Sequence, residues 1–243
     1  MDFDETETSY LMGIDRDDIL DPYRDAYRPS PVVIKNCVAT AYFGTRLDLE
    51  EISWQKHGEF NPRSFAAAKL RLSSPSTTAL LFASGKIVCA GAGSEAAAHV
   101  AVLRYYKMVC EVVPNALCLD ICIQNIVGTA YLGHSIDLSR AYLWLQEYGC
   151  VQAMYSPELF PGLRFKIKDF LNVRGKKINT TEIDRPIDTK VLAFHKGNIV
   201  ICGAKNRSDL LDTWIAVRKV LDQFRCLEVI KTPLRARKRT RHR

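Results

Sequence analysis

The chain contains one unit twice. Residues 32–49 (VVIKNCVATAYFGTRLDL) and 121–138 (ICIQNIVGTAYLGHSIDL) superimpose at an offset of 89 without a gap. Nine of the 18 positions are identical: Ile34/Ile123, Asn36/Asn125, Val38/Val127, Thr40/Thr129, Ala41/Ala130, Tyr42/Tyr131, Gly44/Gly133, Asp48/Asp137 and Leu49/Leu138. Further on, Asn61-Pro62-Arg63-Ser64-Phe65 answers Ser156-Pro157-Glu158-Leu159-Phe160, and FASGKIVCAGA (82–92) answers FHKGNIVICGA (194–204). A period of about 90–110 residues is too long for a solenoid unit. It implies two fused copies of one half, related by a pseudo-twofold axis.

Each half has the same order of elements. A β-rich run (32–42, 121–131) precedes a short amphipathic helix (about 47–57, 136–147). Extended stretches follow, in the first half at 64–72, 77–84 and 86–92. A long helix closes each half. The first is predicted over about 94–113, capped by Ser94 and stopped by Pro114. The second starts near Ser208, with Leu210, Trp214, Val217, Leu221 and Phe224 forming one apolar stripe. Strands in series with few helices predict an antiparallel sheet covered on one face. The other face is left open and needs a partner or a polar coat.

Charge is segregated. Residues 1–30 hold 9 acidic and 3 basic residues, and residues 231–243 hold 7 basic and no acidic ones. The three parts read as an acidic arm (1–30), a core (31–230, halves 31–118 and 119–230) and a basic tail (231–243). That distribution suits a polyanionic partner. The eight cysteines show no C-x-x-C pair and do not cluster with the five histidines, so zinc-ligand spacing is absent and reduced, buried thiols are expected. Phosphate-loop and nucleophile-elbow motifs are absent too. No cofactor, metal or catalytic residue is expected. No apolar run reaches the roughly 18–20 residues of a membrane span, and no secretory signal opens the chain.

Strand alternation defines the open face. One side carries Asn36, Val38 and Thr40, and in the repeat Asn125, Val127 and Thr129. The same parity gives Phe65, Ala67, Lys69 and Arg71, then Phe82, Ser84, Lys86, Val88 and Ala90. In the second half it gives Phe160, Gly162, Arg164, Lys166 and Lys168, then Phe194, Lys196, Asn198, Val200 and Cys202. Valine and phenylalanine are ordinary core residues, but the cations decide the matter. Leu70, Leu72, Phe165 and Ile167 on the opposite side make the better core. A half-apolar face rimmed by Lys and Arg suits the minor groove. Cations meet phosphates, Asn reads base acceptors and Phe wedges between base steps.

These residues resemble the TATA-box-binding protein family. The resemblance runs over about 32–226 and rests on Asn36-Cys37-Val38, Phe65, Thr77 through Lys86, Asp120, Gln124-Asn125-Ile126-Val127-Gly128 and Pro157 through Leu163. It implies an α+β saddle: a curved ten-stranded antiparallel sheet with four helices on its convex side. Residue by residue, it makes Phe65, Phe82, Phe160 and Phe194 intercalating wedges. Asn36 and Asn125 become the central readers, with Val38, Val127, Val88 and Val200 on the groove floor. The implied function is a nuclear general transcription initiation factor that binds and bends A·T-rich promoter DNA and nucleates preinitiation complexes.

The sequence departs from the family pattern in places. Ala90 and Cys202 stand where the family has threonines, so two hydroxyl donors are lost. Nearby cations are expected to lower the Cys202 pKa and raise its reactivity. Asn198 replaces a lysine, whereas Lys86 is kept. Extra cations appear at Lys69, Arg164 and Lys168. The second half carries an insertion at about 170–188. In the family, Glu158 and Leu159 meet transcription factor IIB; Ser156 replaces a companion glutamate. The first long helix exposes Glu95, His99, Leu103, Lys107 and Glu111, so contacts with a factor IIA-like protein or TBP-associated factors are altered. An alternative function is a divergent scaffold recruited mainly by protein contacts, with weak TATA specificity.

Overall fold

Both copies of the repeat fold into the same unit, and the causes are local. In a computed structural model describing residues 30–148, 150, 152–167 and 187–226, the first half runs β1 (Val33–Tyr42), α1 (Leu49–Gln55), β2 (Glu59–Asn61), β3 (Phe65–Ser73), β4 (Ser76–Phe82), β5 (Lys86–Ala92) and α2 (Glu95–Cys110). The second runs β6 (Leu119–Tyr131), α3 (Leu138–Glu147), β7 (Met154–Ser156), β8 (Phe160–Lys166), β9 (Lys190–Phe194), β10 (Asn198–Ala204) and α4 (Arg207–Leu221). The acidic arm up to residue 29, Lys168, the insertion up to residue 186 and the basic tail lie outside the described residues.

The helix starts repeat like the sequence. Asp48 accepts from the Glu50 and Glu51 amides, and Asp137 from the Arg140 amide. Ser94 caps α2 through the Ala97 amide, as expected. Asn206 caps α4 through the Asp209 amide, and that helix begins at Arg207, beside the expected Ser208. Each cap satisfies an amide that has no partner within its own helix. Helix α2 ends at Cys110, short of residue 113: the Val112 and Val113 amides both donate to the Val109 carbonyl, and Pro114 has no N–H to continue the ladder. Helix α4 ends at Leu221, and Phe224 continues the stripe from a 3-10 turn (Asp222–Phe224).

The strands form one antiparallel sheet in the order β2-β3-β4-β5-β1-β6-β10-β9-β8-β7. The pseudo-twofold axis passes between β1 and β6. Local patterning finds eight of the ten strands. It misses the edge strands β2 and β7, which are three residues each and too short to show alternation. The long helices lie on one face. Cys37, Ala39, Ile87, Cys89, Ile126, Ile199 and Ile201 are fully buried beneath Ala98, Val102, Tyr105, Leu210, Val217 and Leu221. Each large apolar side chain so buried contributes about 1.5–3 kcal/mol.

Candidate nucleic-acid interface

The face opposite the helices holds the expected residues. Asn36, Val38, Thr40, Val88 and Ala90 are half-buried, as are Asn125, Val127, Thr129, Val200 and Cys202, between fully buried neighbours on the helix side. Register adds residues that parity, followed only forward from Phe82 and Phe194, passes over. Leu80 pairs with Val88 and Thr78 with Ala90. Leu192 pairs with Val200 and Lys190 with Cys202. Counting backward by two from each Phe reaches all four.

The phenylalanines come together in two pairs, one in each half. Phe65 and Phe82 sit edge to face with centroids 6.3 Å apart, and Phe160 and Phe194 do the same at 5.9 Å. Phe65 is 53% exposed, an unusual position for a ring that size. Under each pair lies a small residue. Ala67 pairs with Phe82 and Gly162 with Phe194. Ala67 is buried rather than open because it sits at that position. A Cβ on Gly162 would stand 2.6 Å from the Phe160 ring.

The asparagines are held by the sheet. The Gly91 amide donates to Oδ1 of Asn36 and the Gly203 amide to Oδ1 of Asn125, both at 2.8 Å. Each glycine occupies a register shift, between Cys37 and Val38 in the β1–β5 pair and between Ile201 and Ala204 in the β10–β6 pair. Their φ values, 105° and 94°, are ones that L side chains rarely adopt. With Oδ1 engaged, the side-chain NH2 is the half of each amide left to donate.

The cations differ between halves. Glu59 pairs with both Lys69 (3.1 Å) and Arg71 (3.4 Å). The Lys69 hydrogen bond, then the charges of Lys69 and Arg71, hold the Glu59 carboxyl below its usual range. In the second half Arg164 stacks over the Phe160 ring, 5.2 Å from its centroid. Among the described residues Arg164, Lys166 and Lys190 make no ion pair.

Two expectations about thiols need correction. Burial pushes the Cys202 pKa up, and Lys190 opposes this only in part. Its Sγ lies 3.6 Å from the Lys190 carbonyl oxygen. Cys202 is more accessible than the fully buried Cys37 and Cys89, but Cys122 is exposed. A shift in β6 between Asn125 and Ile123 turns Ile123 toward the core and pairs Cys122 with Thr40 on the open face. Parity carried along β6 without that bulge misses this.

The turn between β7 and β8 presents Leu159, 86% exposed. On the helical side Leu103 is 50% exposed. Glu95 and Glu111 in the same row are engaged by Arg207 and Lys56. Among the described residues no group of three or more His, Cys, Asp or Glu is placed to hold a metal ion.

The family description "Transcription factor TFIID (or TATA-binding protein, TBP)" matches residues 31–112 and 120–225. This chain belongs to the TATA-box-binding protein family. The TATA-box-binding protein of Artemia franciscana is 34% identical over 194 residues, covering 79% of this chain and 63% of its own. That of Acetabularia peniculus is 35% identical over 200 residues, covering 81% and 94%. The human TATA box-binding protein-like 2 is 34% identical over 193 residues, covering 79% and 50%. This chain thus spans about two thirds or less of the Artemia and human relatives. The solved structure of Methanococcus jannaschii TBP matches with a TM-score of 0.62 and 28% identity over 79% of this chain and 98% of that one. The family fold, a curved ten-stranded sheet with four helices, is the one described above.

Proposed function

We propose that this family member is a nuclear general transcription initiation factor that binds promoter DNA through the minor groove, bends it and nucleates preinitiation complexes. One observation carries the reading: an otherwise half-apolar sheet face bears a ring pair in each half and an anchored asparagine donor on either side of its centre. Base steps pried apart by the rings cost a few kcal/mol to unstack, offset by the groove surface then wrapped on the sheet. Val38, Val88, Val127 and Val200 meet the groove floor. Asn36 and Asn125 donate to the acceptors that A·T pairs present there. Lys69, Arg71, Lys86, Arg164 and Lys166 meet phosphates. Glu158 and Leu159 form the docking point for a factor IIB-like protein. A factor IIA-like protein and TBP-associated factors are candidates for the helical side.

A second reading has its own observation. Ala90 and Cys202 put no hydroxyl on the groove floor, which favours a scaffold with weak TATA preference, recruited mainly by proteins. Gel-shift titrations on TATA and scrambled duplexes at two salt concentrations separate the two. The leading reading requires TATA to be preferred and bent at both salts. Equal, weak binding to both duplexes at both salts supports the scaffold.

A further inference from the structure

The two halves of the open face are equivalent in backbone and unequal in charge. Glu59 pairs in register with Lys69 in the first half; the symmetric positions in the second half are Met154 and Arg164. Arg71 pairs in register with Thr78, whereas its counterpart Lys166 pairs with Lys190. The second half therefore carries three cations and no acid at these positions. The first carries two cations shared by one carboxylate.

We propose that Glu59 sets the order in which the halves engage a duplex. Its carboxylate occupies Lys69 and Arg71 in the free protein, so the second half, whose Arg164, Lys166 and Lys190 have no ion pair among the described residues, meets the phosphates first. The first half seats afterwards, when phosphates take the two cations from Glu59. This rests on the DNA-binding reading above. The physical basis is the range of each effect. Uncompensated charge steers encounter over a Debye length, about 8–10 Å at 0.10–0.15 M salt. The stacking of Arg164 on Phe160 is a contact effect that a phosphate can outcompete. The Glu59 pairs are solvent-exposed, with side chains 37–66% accessible. They are therefore weak enough to be exchanged during binding.

The test uses the full chain and a duplex with separate fluorescent base analogues at the two kink sites, followed by stopped flow. In the wild type the signal from the Phe160/Phe194 end leads that from the Phe65/Phe82 end. Glu59→Gln removes the lag, raises affinity several-fold at low salt and steepens the log–log salt dependence by about one, because one negative charge leaves the face and each net charge contributes roughly 0.9. In the background Lys69→Gln/Arg71→Gln, Glu59→Gln has no such effect, because its partners are gone. An unchanged lag and slope in Glu59→Gln overturns the inference while leaving DNA binding standing. A wild type that binds no duplex overturns the DNA reading itself, and this one with it.

Discussion

Asn36 accepts a hydrogen bond from the amide of Gly91 across a β-bulge, 55 residues along the chain. Asn125 and Gly203 repeat the arrangement in the second half. The bulge frees an amide from the ladder, and the asparagine oxygen satisfies it. The same bond decides which end of the side chain faces out. Replacing Asn36 and Asn125 together by Asp keeps the acceptor for glycine but presents a second oxygen in place of the NH2. Binding to A·T-rich duplexes is expected to fall at least tenfold with little change in urea stability, by titration and equilibrium unfolding. Gly91→Ala instead destabilises, by about 1–2 kcal/mol for a side chain forced to positive φ.

The ring pairs are expected to make the bend. Phe160→Ala/Phe194→Ala leaves the fold intact and sharply reduces end-to-end fluorescence transfer on a labelled duplex; an unchanged bend refutes intercalation by the second half. Gly162→Val acts on the same rings from below, since even its Cβ overlaps Phe160. It reduces bending without removing either ring.

Phosphate contacts are countable. Lys166→Ala lowers the log–log salt slope by about one on any sequence, because each neutralised phosphate contributes about 0.9. A slope equal to the wild type places Lys166 off the DNA.

Maleimide labelling resolved by mass spectrometry tests the face directly. Cys122 and Cys202 are expected to be protected by saturating DNA, while Cys110, far from the open face on α2, is not. Burial of the Cys202 thiol raises its pKa, so its labelling is slow at neutral pH and accelerates only at higher pH than that of a free thiol. Thr at Cys202 and Ala90 restores two donors and sharpens A·T preference. Equal labelling of Cys202 with and without DNA would mean that it only fills space.

Cys37 makes the core sensitive to alkali. Burial, with a smaller push from Glu95 and an opposing one from Arg207, raises its thiol to about 11. The unfolded thiol ionises first, near the ordinary thiol value of about 8.5. Between the two values the folded state holds more protons, so stability falls as pH rises through that window. Melting temperature is expected to drop less steeply over this range in Cys37→Ala than in the wild type, from a lower starting value.

Much of this protein is written locally. The repeat, the alternation of Val, Ile and Cys along β1 and β6, the Asp and Ser caps and the apolar stripe of α4 each depend on residues within one turn or one strand. Periodicity, caps and the placement of the cations therefore located the helices, the sheet class and the open face with its phenylalanines and asparagines. Family resemblance supplied the two edge strands that three residues cannot announce. Tertiary structure decided what pairing creates. Strand register set the bulges at Gly91 and Gly203 and turned Cys122 onto the open face. It also brought Glu59 against Lys69, ten residues away in sequence, and buried Cys202 enough to raise its pKa. A side chain's direction follows from its own strand, but its partner and its solvent depend on which strand lies alongside and in which register.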